Sequence, residues 1–391
     1  MKIIYVSKGT APSTFERLLK KYNNKLQQQS QKYNELLMEG LANNGVEVES
    51  ISTRPINRNI EKRIFFSAFS ELENNIKYYY CPFINLPVLR NISIFFSVLF
   101  QMIKDANRET VVFCDALNIA AAFAVIIAGK IRKIVTVGIV TDVPCYRPNN
   151  EKPPLHERVN LFVMKKFDRF LLLTEQMNQL VNLKKKPYIV LEGHADIEME
   201  KKANSIELKG NSMVCMYAGS LRKIYGISNL VQGFLAANIN NTELHIYGSG
   251  DYESELTKIS NEYNTVVYHG TAPNTEIVER EIAATLLINP RPTNEEFTKY
   301  SFPSKNMEYM ASGTPVLTTN LPGMPMEYKD YVYIADDESA KGFQSSLTEI
   351  LQKSREELHK KGLSARDYVL KNKNNNAQAK KVLNELIGDL P

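Results

Sequence analysis

Cysteine is scarce in this chain and widely scattered. Its four cysteines, Cys81, Cys114, Cys145 and Cys215, form no CxxC pair. That excludes a disulfide framework and a cysteine zinc site, and it points to a reducing compartment. Long apolar runs are also missing. The longest, residues 92–103 and 119–128, are too short to span a bilayer and read as buried helices. No Asp-x-Asp and no zinc spacing occurs, so no metal is expected. A signal peptide is not expected either, because the first residues, Lys2-Ile3-Ile4-Tyr5-Val6-Ser7, read directly as a strand.

What is present is the composition of a globular protein. The chain has 391 residues, 43% of them hydrophobic and 23% charged, enough for two domains with separate cores. Charge is uneven. Residues 1–200 hold 27 Lys and Arg against 20 Asp and Glu; the remainder holds 21 against 23. A basic half suits an anionic partner such as a membrane surface, and it equally suits ordinary solvated lysines. Residues 15–25, with Phe15, Leu18, Leu19 and Tyr22 among four cations, could lie on such a surface or pack on the domain. Lys184-Lys185-Lys186 adds to the basic balance. No nucleic-acid motif occurs and the basic residues are not interleaved with aromatics, so no nucleic-acid partner is expected.

Strand-like and helix-like segments alternate along the chain. In the first half, strands read at 3–6, 46–51, 110–114, 134–140 and 169–173, and helices at 32–44, 92–104, 118–128 and 158–166. Residues 187–204 are polar and read as a linker. A second series follows, with strands at 213–217, 244–247, 266–268, 285–288 and 316–318 and helices between them. This alternation predicts α/β architecture: two Rossmann-like domains in tandem, with parallel sheets and a cleft between them. The boundaries expected are 1–200, 205–370 and a charged C-terminal segment, 371–391.

The stretch with most to say is Ser301-Phe302-Pro303-Ser304-Lys305-Asn306-Met307-Glu308-Tyr309-Met310-Ala311-Ser312-Gly313-Thr314-Pro315-Val316. It reads as a turn, a short helix, a glycine stop and a strand. Ser301 or Ser304 could cap the helix, Pro303 fits its start and Gly313 its end. The first turn of such a helix suits a phosphate, and Lys305 adds a full charge there. Glu308, about a turn on, could accept hydrogen bonds from a sugar diol. A capped surface helix ahead of a buried strand explains the same residues as well.

This stretch resembles the donor-site signature of the family-4 retaining glycosyltransferases, which have the GT-B fold, and most of all their bacterial capsule and exopolysaccharide members. The resemblance extends over most of the chain. It implies a C-terminal domain that binds a nucleotide-diphosphate sugar, with a UDP-sugar favoured. It implies an N-terminal domain that binds a glycan or polyprenyl-linked acceptor, and a last helix that crosses back to that domain. It implies no cofactor beyond the donor, and a cytoplasmic protein, peripheral at the inner face of the cell membrane. Tyr300 stands where the family's first Glu stands, with Glu295 and Glu296 a little upstream.

In open α/β sheets, ligands sit beyond the carboxyl ends of strands, which selects the residues that follow each strand. After 213–217 come Gly219, Ser220, Leu221, Arg222, Lys223, Ile224 and Tyr225. Gly219 permits a close backbone approach, and Arg222 or Lys223 could neutralise a diphosphate; both also read as solvated loop residues. The segment resembles the family's Gly-Arg-Leu…Lys-Gly, with Ser220 at the Arg position and Tyr225 at the Lys position. Gly248-Ser249-Gly250 resembles the family's glycine pair, and it also reads as an ordinary turn. His269, Gly270 and Thr271 stand where the family holds the base by backbone groups, His269 itself reading as structural. Asp115 could orient or deprotonate an acceptor, or cap the next helix. The segment 141–144 has the same ambiguity around Asp142. Residues 192–196 read as a hinge turn, with donor contact as the alternative. Lys8-Gly9-Thr10 corresponds to a family loop near the acceptor. The rival to an enzyme is a catalytically silent GT-B subunit that stabilises a partner transferase.

Overall fold

The computed structural model describes residues 1–22, 26–143 and 154–390. The chain forms two compact units: residues 1–194 with 375–391, and residues 195–374.

Among its described residues the first unit holds ten strands: β1 (Lys2–Ser7), β2 (Glu47–Ser52), β3 (Phe65–Phe66), β4 (Phe69–Glu73), β5 (Ile76–Tyr80), β6 (Phe83–Ile84), β7 (Thr110–Asp115), β8 (Val135–Val140), β9 (Arg169–Leu172) and β10 (Tyr188–Val190). Eight of them make one sheet in the order β10-β9-β8-β7-β1-β2-β5-β4. All pairs are parallel except β4 with β5. The central strands are buried on both faces, which is why they read as continuous apolar runs. The β4–β5 hairpin turns at Asn74 and Asn75, with φ of 51° and 60°, the left-handed pair that a two-residue turn requires.

The second unit holds β11 (Met213–Ala218), β12 (Thr242–Tyr247), β13 (Val266–Tyr268), β14 (Leu286–Asn289), β15 (Val316–Thr319) and β16 (Tyr333–Ala335). They pair in parallel in the order β13-β12-β11-β14-β15-β16. One apolar cluster, with Ile227, Leu230 and Phe343, covers one side. A second, with Met307, Tyr309 and Met310, covers the other. Each unit is thus a Rossmann-like layer of helices and parallel strands, as the alternation in the sequence predicts.

Two expectations need correction, and one open alternative is decided. The linker read at 187–204 begins as strand β10, then continues as short 3-10 turns at Ile197–Lys201 and Ile206–Leu208. Tyr188-Ile189-Val190 is too short an apolar triplet to stand out between Lys184-Lys185-Lys186 and the acidic residues that follow. The run 92–103 lies in helix Leu89–Asp105, and only one side of it is buried. In residues 15–25, helix Pro12–Lys21 turns Phe15 inward, Tyr22 is buried after it, and Lys21 pairs with Glu61 at 3.0 Å. The end of that segment, Lys25, and the cysteine Cys145 lie outside the described residues.

Candidate functional site

In the second sheet the chain leaves β11 toward β12 on one side, and reaches β14 on the other. The crevice at such a switch point, beyond the strand carboxyl ends, is where open α/β sheets take ligands. Two loops meet there: residues 219–226 after β11, and Pro290 and Arg291 after β14. A recess of 410 Å³ opens between them, lined among others by Lys223, Gly226, Pro290, Pro292, Glu295 and Glu338. Of the residues the strand-end rule selects, Lys223 and Ile224 line it, whereas Gly219, Arg222, Gly248, Lys305 and Glu308 do not. A larger groove of 730 Å³ runs instead along helix Arg355–Asn372.

Two cations share one aromatic ring at this point. The guanidinium carbon of Arg222 stands 5.6 Å from the centre of the Tyr225 ring, and that of Arg291 stands 4.8 Å from it. Arg291 also reaches Ser301 Oγ at 3.4 Å. Lys223 is committed elsewhere, to Glu255, while its backbone N–H donates to Asp251 at 2.7 Å. Of the two cations weighed for a diphosphate, Lys223 is thus paired with a carboxylate, while Arg222 lies over the Tyr225 ring with Arg291 beside it. Sequence reading passed over Arg291, although it follows a strand as Arg222 does.

The signature stretch forms helix Ser304–Ser312, ended by Gly313 at φ 80°. Neither Ser301 nor Ser304 caps it: Pro303 holds that place without a side-chain hydrogen bond, and Ser304 is the first helical residue. Tyr309 pins the helix to the end of β11, its hydroxyl accepting from the Ala218 N–H at 2.9 Å and donating to the Ala218 carbonyl at 3.2 Å. Asn306, also passed over, ties it to two more strands. It accepts from Asn289 at 2.8 Å and donates to Thr318 Oγ1 at 3.1 Å. With one face so fixed, Lys305 and Glu308 project from the other, each about one third exposed, paired Nζ to Oε2 at 2.8 Å.

A third ionisable group lies beneath that pair. Glu281, on helix Asn274–Ala283, is fully buried and neither carboxylate oxygen has a hydrogen-bond partner. Burial, with Glu308 nearby, holds its carboxyl well above the usual range, against the pull of Lys305. Burial works to lower the Lys305 ammonium, but Glu308 and Glu281 outweigh it and raise the group above its ordinary value. Lys305 thus stays charged.

The glycine loops support one another. Gly248 has φ 133°, and a Cβ there would lie 1.7 Å from the Gly219 carbonyl oxygen. The Leu221 N–H donates to the Ser249 carbonyl at 2.9 Å, and the Gly248 N–H to that of Gly270 at 2.8 Å. Ser220 offers its carbonyl to the Tyr217 hydroxyl at 2.9 Å. His269 stacks on Tyr247 with centroids 4.4 Å apart and lies 4.9 Å from the centroid of His245; Thr271 is exposed. The structure thus brings Gly219, Ser220, Arg222, Gly248, Gly270 and His269 to the carboxyl ends of β11–β13, and Ser304, Lys305 and Glu308 to the helix that Tyr309 pins there.

The first unit has its own switch point, between β1 and β7. Asp115 ends β7, nearly buried. It accepts the Leu117 N–H at 3.0 Å, and Asn118, not Asp115, caps the following helix. Burial raises the Asp115 carboxyl, and Lys8, after β1, pulls it back. Gln31 braces the Lys8-Gly9-Thr10 loop, donating to the Thr10 carbonyl at 2.7 Å and accepting its N–H at 3.0 Å. Asp142 follows β8 and binds the Val143 N–H at 2.7 Å; Pro144 lies outside the described residues. In the 192–196 turn, Gln378 donates to the Gly193 carbonyl, His194 lies 4.9 Å from Tyr33 and Asp196 caps the turn Ile197–Lys201.

Parallel doubly wound sheets, a glycine-lined crevice and a cation at a helix start define a nucleotide-binding class of α/β protein. Residues 198–367 match the family profile Glycosyl transferases group 1. Solved structures share the whole fold. Sucrose-phosphate synthase from Thermosynechococcus elongatus superposes with a TM-score of 0.69 at 13% identity, covering 98% of this chain and 97% of its own. The Anabaena protein HepE, in complex with UDP and glucose, gives 0.66 at 13%, covering 99% and 100%. The lipopolysaccharide outer core galactosyltransferase WaaB gives 0.63 at 14%, covering 100% of both chains. A comparison with curated proteins finds no match. The domain match and the shared fold support a GT-B glycosyltransferase.

Proposed function

We propose that this protein is a retaining glycosyltransferase that moves a sugar from a nucleotide-diphosphate sugar, a UDP-sugar first, to a glycan or polyprenyl-linked acceptor. Its setting is surface polysaccharide synthesis at the inner face of the cell membrane. The observation that carries the reading is the Lys305–Glu308 pair, projecting from a helix whose other face is pinned to the strand ends. Glu308 would take the ribose diol. Lys305, Arg222 and the Ser304 turn would take the diphosphate, with Arg291 adding charge without a metal. Asp115 would orient the acceptor hydroxyl. As in the family resembled, the leaving phosphate would help to deprotonate that hydroxyl on the face it departs from.

Glu295 lines the recess, and with Tyr300 at the family's first-Glu position Glu295 would be the carboxylate that meets the donor sugar. Calorimetry with UDP-, GDP- and ADP-sugars, followed by slow donor hydrolysis measured with and without EDTA, tests this. Binding and EDTA-resistant hydrolysis are expected. The silent-subunit reading draws on Ser220, Tyr225 and Tyr300 at family positions of opposite character. Binding without any turnover would favour it, and no binding of any nucleotide sugar would remove both readings.

A further inference from the structure

Helix Leu89–Asp105 is apolar on two opposite sides. Ile94, Val98 and Met102 are fully buried. Leu89, Ile92, Phe96, Phe100 and Ile103, spaced three and four apart, form a second stripe that faces solvent. Phe96 is 60% exposed and Phe100 is 70% exposed. A helix apolar all round is ordinarily enclosed, and a soluble surface rarely carries such a contiguous row. The row does not stop at this helix. Helix Ile119–Arg132 packs beside it and presents Phe123 and Ile131, with Phe123 5.7 Å from Phe95 between ring centres. Helix Leu155–Met164 packs on that one in turn and presents Leu155, Val159 and Phe162.

Charge identifies the occupant. The three helices carry five basic residues against two acidic ones. Each helix leads into a strand of one parallel set, β7, β8 and β9 respectively, so all three run antiparallel to the strands and their C-ends collect at one edge. Lys104, Lys130 and Arg132 stand in those last turns, and Lys166 follows the third helix with its ammonium 4.3 Å from the Phe162 ring. A broad aromatic and aliphatic face edged by cations complements apolar acyl chains beneath anionic headgroups. We propose that this three-helix face of the first unit docks on an anionic lipid bilayer, with Phe96 and Phe100 entering the interface and the C-terminal lysines at the headgroups. This names the surface for the membrane setting proposed above and rests on that setting alone, because docking needs no turnover.

The test is co-sedimentation of the full chain with vesicles of phosphatidylcholine alone, and of phosphatidylcholine with phosphatidylglycerol, at low and high salt. The wild type should pellet with the anionic vesicles and be released as salt rises. Phe96→Ser with Phe100→Ser should weaken anionic binding at least ~10-fold. Lys104→Glu with Lys130→Glu should weaken it by a similar factor. Melting temperature should hold in both, because all four side chains are exposed. Wild-type pelleting that the Phe96/Phe100 change leaves intact would overturn the proposal, as would equal pelleting with neutral vesicles or none with either. So would a stable dimer in sedimentation velocity that the phenylalanine change dissociates, since the face would then belong to a second copy.

Discussion

Lys305 and Glu308 neutralise one another in the free protein, so a diphosphate must compete for the ammonium while a diol takes the carboxylate. Glu308→Gln keeps the shape and removes the charged acceptor. A charge-assisted hydrogen bond contributes about 1.5–3 kcal/mol, so nucleotide affinity by calorimetry should fall at least ~10-fold. Unchanged affinity would take Glu308 out of the site. Glu281 makes a different prediction, about stability. Its folded-state carboxyl lies above the ordinary 4.5. Below that value both folded and unfolded states hold the proton. As pH rises past it, the unfolded state releases its proton first, and the folded state loses stability by up to about 1.4 kcal/mol per pH unit. Glu281→Gln removes that slope, so its melting temperature should hold better than wild type as pH rises through and above the ordinary Glu range. Parallel pH profiles for the two proteins would refute the assignment.

At the scale of the element, the glycine turns were legible but their reason was not. Gly248-Ser249-Gly250 resembles a family glycine pair beside a ligand, and it also reads from sequence as an ordinary turn. In the structure, Gly248 first has to let one backbone loop meet another, its missing Cβ being 1.7 Å from the Gly219 carbonyl oxygen. Gly248→Ala combines that clash with a backbone region only glycine favours, so it should cost roughly 2 kcal/mol or more. A chemical denaturation midpoint equal to wild type would show that the loops part freely. The signature helix was legible down to its Gly313 stop, because stop signals are local; its start was misread, since Pro303 and neither Ser301 nor Ser304 holds the cap position. Its anchors were not: Asn306 and Tyr309 look like ordinary helix residues until their partners on β11, β14 and β15 are in place.

At the scale of the whole molecule, the last seventeen residues join the first unit across nearly two hundred positions of chain. Ala379, Val382, Leu386 and Ile387 complete the core that β1, β2 and β7 begin. Gly40 on helix Gln28–Asn43 leaves room for the Asn375 carbonyl oxygen, which a Cβ would meet at 2.2 Å. Leu386→Ala should therefore destabilise the first unit by about 2–5 kcal/mol, seen as a lower melting transition with nucleotide affinity retained by the second unit. Loss of nucleotide affinity together with the first unit would show that the units do not melt separately.

Alternation of apolar strands and amphipathic helices is a local pattern. The sequence therefore determined by itself the α/β class, the strands at the centre of each sheet though not β3 to β6, β10 or β16, the signature helix, and the residues that follow the central strands. Tertiary structure alone decided which of those residues serve a common place. Lys223 and Lys21 went to carboxylates of their own. Arg222 and Arg291, some seventy residues apart, came to one tyrosine ring because β11 and β14 are neighbours. It also decided which side of an apolar helix is buried. Residues 92–103 carry apolar groups on both sides, and only the packing of one side against the sheet leaves Phe96 and Phe100 in water. Periodicity reports that a face is apolar; what covers that face depends on contacts between residues far apart in the chain.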